Sequence, residues 1–169
     1  VLVAFIPQIA EIVDRIQHDQ YHLYPVDRHS LRVVHTIKGF ASSDQTRGDP
    51  LCRDLYKELK HRKPLLWAAL LHDIGKGVEG RPHSESGAEI TRDILLAKGL
   101  ALKDVETVSF LVKSHLRLII TATRRDISDE ETAISFAREI KDVNRLKMLY
   151  LLSVADSMAT GPKAWSPTG

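Results

Sequence analysis

Cysteine is almost absent from this 169-residue chain, where Cys52 stands alone. A single thiol closes no intrachain disulfide and cannot supply the paired sulfurs of a structural zinc finger. The expectation is therefore a fold held by burial in a reducing compartment, with a cytoplasmic location. Net charge is nearly absent too. Against 24 Lys and Arg stand 22 Asp and Glu, leaving +2, which makes no electrostatic case for a nucleic-acid partner. No apolar run approaches the roughly 18 residues of a membrane span. The opening VLVAFIPQIAEIVDRI lacks the basic flank and the small-residue cleavage site of a signal peptide. Convincing strand alternation, internal repeats and low-complexity segments are missing as well. The chain begins without Met and stops at Ser-Pro-Thr-Gly, as expected of a piece cut from a longer protein.

What is present is an ordinary soluble composition, 43% apolar and 27% charged, long enough for one domain with a sizeable core. Helical spacing dominates. Residues 3–18 carry Ile6, Ile9, Ile12, Val13 and Ile16 on one stripe, which predicts a helix. The connector HDQYHLYP leads to a second helix over 26–40, with Val26, His29, Val33, Ile37 and Phe40 on one face. A polar loop, ASSDQTRGDP, precedes a third helix over 50–60, and the basic KHRK runs into Pro64, which suits a first helical turn. Beyond the central segment, GKGVEGRPH reads as a glycine-rich loop and Ser84 as the N-cap of a helix over 85–98 closed by Gly99. A helix over 103–120, a loop TATRRDI, and a capping box of Ser128 with Glu131 opening a helix to Ile140 follow. Asp142 caps a last helix running to about Thr160 and ending at Gly161-Pro162. The prediction is a single all-α domain of about seven or eight helices.

The chain is organised around LLWAALLHDIGK, residues 65–76. Its first seven residues are apolar on every side, so that helix must be buried. His72 and Asp73 follow, and an ionised carboxylate is costly to bury unless paired or bound to a metal. Other ligand-type residues also stand where the helical period calls for apolar ones. His29 interrupts the 26–40 face, His115 the Val108–Val112–Ile119 stripe, and Asp156 the Leu149–Leu152–Ala159 stripe. Taken singly, each histidine reads as a satisfied core residue. Together, inward Asp73 and Asp156 with inward His29, His72 and His115 would need many separate partners, and a divalent metal centre satisfies them at once. Mixed His and Asp ligands suit Mg²⁺, Mn²⁺, Fe²⁺ or Zn²⁺, held as one ion or as two about 3.5–4 Å apart across a bridging carboxylate. Lys76 reads either as a solvated lysine or as a phosphate-stabilising charge. Arg124 and Arg125 read as a phosphate or partner clamp, or as ion pairs with Asp126 or Asp129. His18 and His22 read as surface histidines, while His35 and His61 carry no pattern.

The order His29, then His72-Asp73, then Asp156 resembles the HD-domain superfamily of metal-dependent phosphohydrolases, and His83 and His115 look like the additional ligands of its binuclear members. More closely, YPVDRHSLRV, LLHDIGKG, HSESGAE, TATRRDISD and LLSVADSMATGPKAW resemble the HD domains of bifunctional uridylyltransferase/uridylyl-removing enzymes, which modify the nitrogen-regulatory PII protein. The resemblance covers an HD core over 21–165, with residues 1–20 expected as an N-terminal helix ahead of it. It also implies metal ligands His29, His72, Asp73, His83, His115 and Asp156, with Asp73 as bridge and catalytic carboxylate. Mg²⁺ or Mn²⁺ is the expected ion. Lys76 would sit near the substrate phosphate as a catalytic and substrate-binding residue, with Arg124 and Arg125 as further substrate contacts. The implied activity is removal of uridylyl groups from a PII tyrosine, with hydrolysis of a small nucleotide or a non-catalytic regulatory role as alternatives. One departure is Arg28, where the family pattern has an acidic residue before the first histidine.

Overall fold

The computed structural model describes residues 2–14, 25–42, 49–124, 134, 135, 138, 140 and 142–161, with the side chains of 122–124 left aside. Among the described residues there is no strand. The elements are α1 (Leu2–Phe5), a first 3-10 turn (Pro7–Ile12), α2 (Val26–Gly39), α3 (Pro50–Glu58), α4 (Lys63–Leu71) and a second 3-10 turn (Ile74–Gly77). After these come α5 (His83–Ala97), α6 (Leu102–Ser114), α7 (Arg117–Arg124) and α8 (Val143–Thr160). The all-α expectation holds. No helix of the described residues is long and apolar enough to cross a membrane.

Helix α4 lies against α2, α6 and α8, while α5 packs on α6 and on the second 3-10 turn. Leu65, Ala68, Ala69 and Leu71 of α4 are buried together with Val33 and Ile37 of α2 and Leu149 and Leu152 of α8. The expectation that α4 is buried all round needs correcting. Leu66, Trp67 and Leu70 are only partly covered and line an open apolar groove of about 670 Å³. A nine-residue helix that is apolar after its first residue, Lys63, still leaves one side toward the surface at the edge of a small core.

Caps decide several boundaries. Asp142 Oδ1 accepts from Arg145 N–H at 2.9 Å and opens α8, as expected. Gly99, at φ +73°, closes α5, and Leu100 N–H reaches back to the Leu95 carbonyl at 3.1 Å. Three expected boundaries are corrected. Of the helix expected over 3–18, the described part to residue 14 is instead α1 followed by the 3-10 turn, because Ile6 is extended (φ −135°, ψ 90°) ahead of Pro7. Ile6, Ile9 and Ile12 then share one buried side at three-residue spacing, the 3-10 period. Ser84 is not the N-cap of α5: the extended Pro82 is, and α5 starts at His83. The helix over 103–120 is broken after Ser114, and α7 takes up Thr121–Arg124 from what reads as a loop. The rest of that loop, the Ser128–Glu131 capping box, most of HDQYHLYP and residues 43–48 lie outside the described residues, although 134, 135, 138 and 140 have helical backbone.

One contact fixes the second 3-10 turn. A Cβ on Gly75 would stand 2.0 Å from the His83 carbonyl and 2.5 Å from the Gly87 nitrogen. Gly87 is crowded less severely, its own Cβ position lying 3.2 Å from the Gly75 nitrogen. The turn carrying Lys76 and the first turn of α5 therefore touch backbone to backbone. Gly75→Ala is expected to destabilise the fold by about 3 kcal/mol, since backbone must move to admit the methyl. Gly99→Ala, which meets open space but needs a left-handed φ, should lose only about 1 kcal/mol. Urea unfolding of the two variants measures the difference, and equal midpoints would refute the backbone apposition.

Candidate metal centre

Five chain segments end on one spot. His29 comes from the first turn of α2, His72 is the C-cap of α4, and Asp73 follows in the bridge region at φ −104°, ψ 6°. His83 is the first residue of α5, His115 the C-cap of α6, and Asp156 lies within α8. The two C-cap histidines are oriented alike. His72 Nδ1 bonds the Ala69 carbonyl at 2.9 Å and His115 Nδ1 bonds the Val112 carbonyl at 2.7 Å, each three residues back. A helix end leaves such carbonyls without an N–H partner. Using them fixes Nδ1 as the donor and leaves the lone pair of a neutral ring on Nε2, facing the cluster. This local bond also accounts for the break after Ser114, since the His115 ring occupies the Val112 carbonyl. The Ser153 hydroxyl of α8 bonds the freed His115 carbonyl at 3.3 Å.

Asp73 is the hub. Its Oδ2 lies 3.3 Å from His72 Nε2, 4.0 Å from His29 Nε2 and 2.7 Å from Lys76 Nζ. Its Oδ1 lies 3.6 Å from His83 Nε2 and 3.8 Å from His115 Nε2. Asp156 Oδ1 accepts from His29 Nε2 at 2.8 Å and stands 3.7 Å from His72 Nε2. Two ligand groups result, His29–His72–Asp73 and Asp73–His83–His115, sharing one carboxylate. Three ring nitrogens in it, His72 Nε2, His83 Nε2 and His115 Nε2, are buried without a hydrogen-bond partner. Buried polar atoms are normally satisfied, and three orphans aimed at one carboxylate are what a cation between them would satisfy. The residues therefore fit one or two divalent ions.

The charges fit as well. His29, His72, Asp73 and His115 are each at most 2% exposed. Burial alone would raise the Asp73 carboxyl, but His72 and then Lys76 hold it well below the usual carboxylate range. Asp156 is lowered in the same way against its burial, chiefly by the His29 hydrogen bond and the His72 charge. Burial would lower His72, yet Asp73 and Asp156 outweigh it and raise the ring to about 9. His115 is pushed down to about 4 by burial and the His72 charge. Burial lowers His83 too, with Lys76 and His72 adding to the effect against the pull of Asp73. Without a metal, two carboxylates thus face a protonated His72 and the Lys76 ammonium, while His83 and His115 stay neutral.

The structure brings together all six expected ligand residues and sets Lys76 against them. Arg28 is exposed. The Arg124 side chain, Arg125, His18 and His22 lie outside the described residues. His35 is exposed, and His61 pairs with Asp104, 3.0 Å from each carboxylate oxygen. Sequence reasoning missed the supports. Ser86 Oγ donates toward the Gly75 carbonyl at 3.4 Å, and Gly75 and Gly87 permit the close contact that carries His83 to Asp73. The signal was the glycine spacing in HDIGKG and HSESG, whose meaning depends on two segments meeting.

The HD domain family model matches residues 26–160, a span that takes in every converging residue. The chain is 40% identical to the bifunctional uridylyltransferase/uridylyl-removing enzyme of Vibrio cholerae, and 41% identical to those of Vibrio vulnificus and Bordetella avium. Each match covers 166 residues, 98% of this chain but 19% of the relative, so the chain spans about a fifth of the length of these enzymes. Together with a buried His/Asp cluster that accommodates a cation, these matches establish that the chain belongs to the HD domain family of metal-dependent hydrolases.

Proposed function

We propose that the chain hydrolyses a phosphodiester, removing uridylyl groups from a tyrosine of a PII-like signalling protein. The observation that carries the chemistry is the shared Asp73 carboxylate, with one group of histidines on each oxygen. The uridylyl specificity is supported by the likeness to enzymes named for that activity, matched along 98% of the chain. On this reading residues 21–165 are the catalytic core of a longer multidomain protein, working in the cytoplasm.

His29, His72, Asp73 and Asp156 would hold one ion, and Asp73, His83 and His115 a second. A divalent cation held there supplies Lewis acidity, bringing the pKa of water toward neutrality and offsetting charge on the phosphoryl oxygens. Imidazole donors suit Fe²⁺ or Zn²⁺, and the carboxylates admit Mg²⁺ or Mn²⁺. His72 and His115, held by their backbone bonds, keep the donor set in place before any ligand arrives. Lys76, paired with Asp73 and 13% exposed at its side chain, serves the phosphoryl oxygens. Arg124 and Arg125 are proposed as further phosphate contacts. Hydrolysis adds water oxygen to phosphorus and breaks the bond to the tyrosine oxygen. Water's protons are shared between the products, nucleotide and tyrosine. A phenol of pKa about 10 leaves without strong acid help, in keeping with a site whose buried carboxyls are held ionised.

Two outcomes are expected. Purified protein should retain a divalent metal and hydrolyse bis-p-nitrophenyl phosphate with added Mn²⁺, and then a uridylylated PII protein. Asp73→Ala should lower the rate by about 10²-fold or more, as removal of a charge-stabilising group does. Activity that survives Asp73→Ala, or a protein that binds none of Mg²⁺, Mn²⁺, Fe²⁺ and Zn²⁺, would sink the reading. The second outcome concerns pH. His72 is protonated below about 9 and must lose that proton before Nε2 can ligate, so metal uptake releases a proton. Affinity should therefore rise with pH, by about tenfold per unit between 6 and 8 for one proton released. Calorimetry in buffers of different ionisation enthalpy counts the proton, and pH-independent affinity would contradict the assignment of His72.

A further inference from the structure

We propose that Lys76 is a built-in cation that stands in for the metal on Asp73 and is displaced toward the substrate side when a metal binds. The proposal rests on reading the His/Asp cluster as a metal centre. Lys76 Nζ is 2.7 Å from Asp73 Oδ2, the same oxygen that faces His72 Nε2 at 3.3 Å and His29 Nε2 at 4.0 Å. That oxygen belongs to the His29–His72–Asp73 ligand group, so an ammonium and an entering ion compete for it.

The backbone keeps the ammonium in reach. Lys76 N–H bonds the Asp73 carbonyl at 3.0 Å, closing the turn on itself, and the Gly75–Gly87 contact pins that turn to α5. The lysine can exchange partners without leaving the site. Its charge also reaches His83, disfavouring protonation of that ring. The His83 side chain is 28% exposed while that of Asp73 is 3% exposed, so the route away from Asp73 leads toward solvent. A buried carboxylate left alone is costly, which gives the metal-free protein a reason to keep the pair. An entering divalent ion takes over that compensation and repels the ammonium. The freed amine then has the anions of a substrate as its partners. Metal binding thereby prepares the lysine for phosphoryl oxygens, and metal-free protein holds it back.

The test uses the 169-residue chain with Mn²⁺ as probe. Calorimetric titration of Lys76→Met should give Mn²⁺ affinity about tenfold or more above wild type, because the competing charge is gone, while Lys76→Arg should stay near wild type. Acylation of Lys76 by acetic anhydride, followed by mass spectrometry on the wild-type chain, should speed up on Mn²⁺ loading. Inorganic phosphate should then slow it in the loaded protein but not in the metal-free one. The acylation arm needs no variant, so a misfolded Lys76→Met leaves the proposal testable. Mn²⁺ binding to wild type with unchanged acylation, or a folded Lys76→Met that binds no tighter, overturns the displacement and leaves the metal centre standing. Absence of Mn²⁺ binding to every form overturns both.

Discussion

A buried carboxylate has to be compensated, and the structure depends on how that is done for Asp73. It lies at the end of an apolar helix, 2% exposed, where an isolated charge would cost several kcal/mol. Four histidines and a lysine are arranged about its two oxygens. His72 and Lys76 come from its own segment while His29, His83 and His115 arrive from α2, α5 and α6, so the carboxylate fixes where these helices begin or end relative to α4. Asp156 adds a second carboxylate from α8 and closes the ring through His29 and His72.

Helix ends, rather than helix faces, do most of the positioning. His72 and His115 share one device, a C-cap imidazole bonded to the carbonyl three residues back, which aims Nε2 inward. His83 uses the opposite end of a helix, pressed against the HDIGKG turn where two glycines allow backbone contact. These supports involve only main-chain carbonyls, glycines and a serine. They are stiff for the same reason: a backbone atom in a packed helix cannot swing aside as a side chain can. His72 and His115 are thus tied to backbone, whereas the Lys76 side chain meets the site only through its ion pair with Asp73.

The legibility of the chain varies with the range of the interaction involved. The bounds of α2, α3 and α8 follow from local signals, with Pro50 inside the first turn of α3 and Asp142 capping α8. The stripe over 3–18 misleads because an isoleucine every three residues satisfies both a helix and a 3-10 turn, and Pro7 interrupts a continuous helix by holding Ile6 extended. The break at His115 is equally hidden, since a histidine on an apolar stripe looks the same whether its Nδ1 bonds a nearby carbonyl or the helix runs on.

By itself the sequence determined the helical class and the Asp142 cap, and it singled out five ligand-type residues, with His83 added only by the family resemblance, because periodicity, capping and the cost of burying a charge are all local or additive properties. Tertiary structure alone decided which Asp73 oxygen each of the four histidines faces, that Asp156 meets His29 and His72, and that Lys76 occupies the oxygen on the His72 side. The physical reason is distance along the chain: His29 and Asp156 are separated by 127 residues and meet at 2.8 Å. No period or spacing encodes such a meeting, only the packing of α2 against α8.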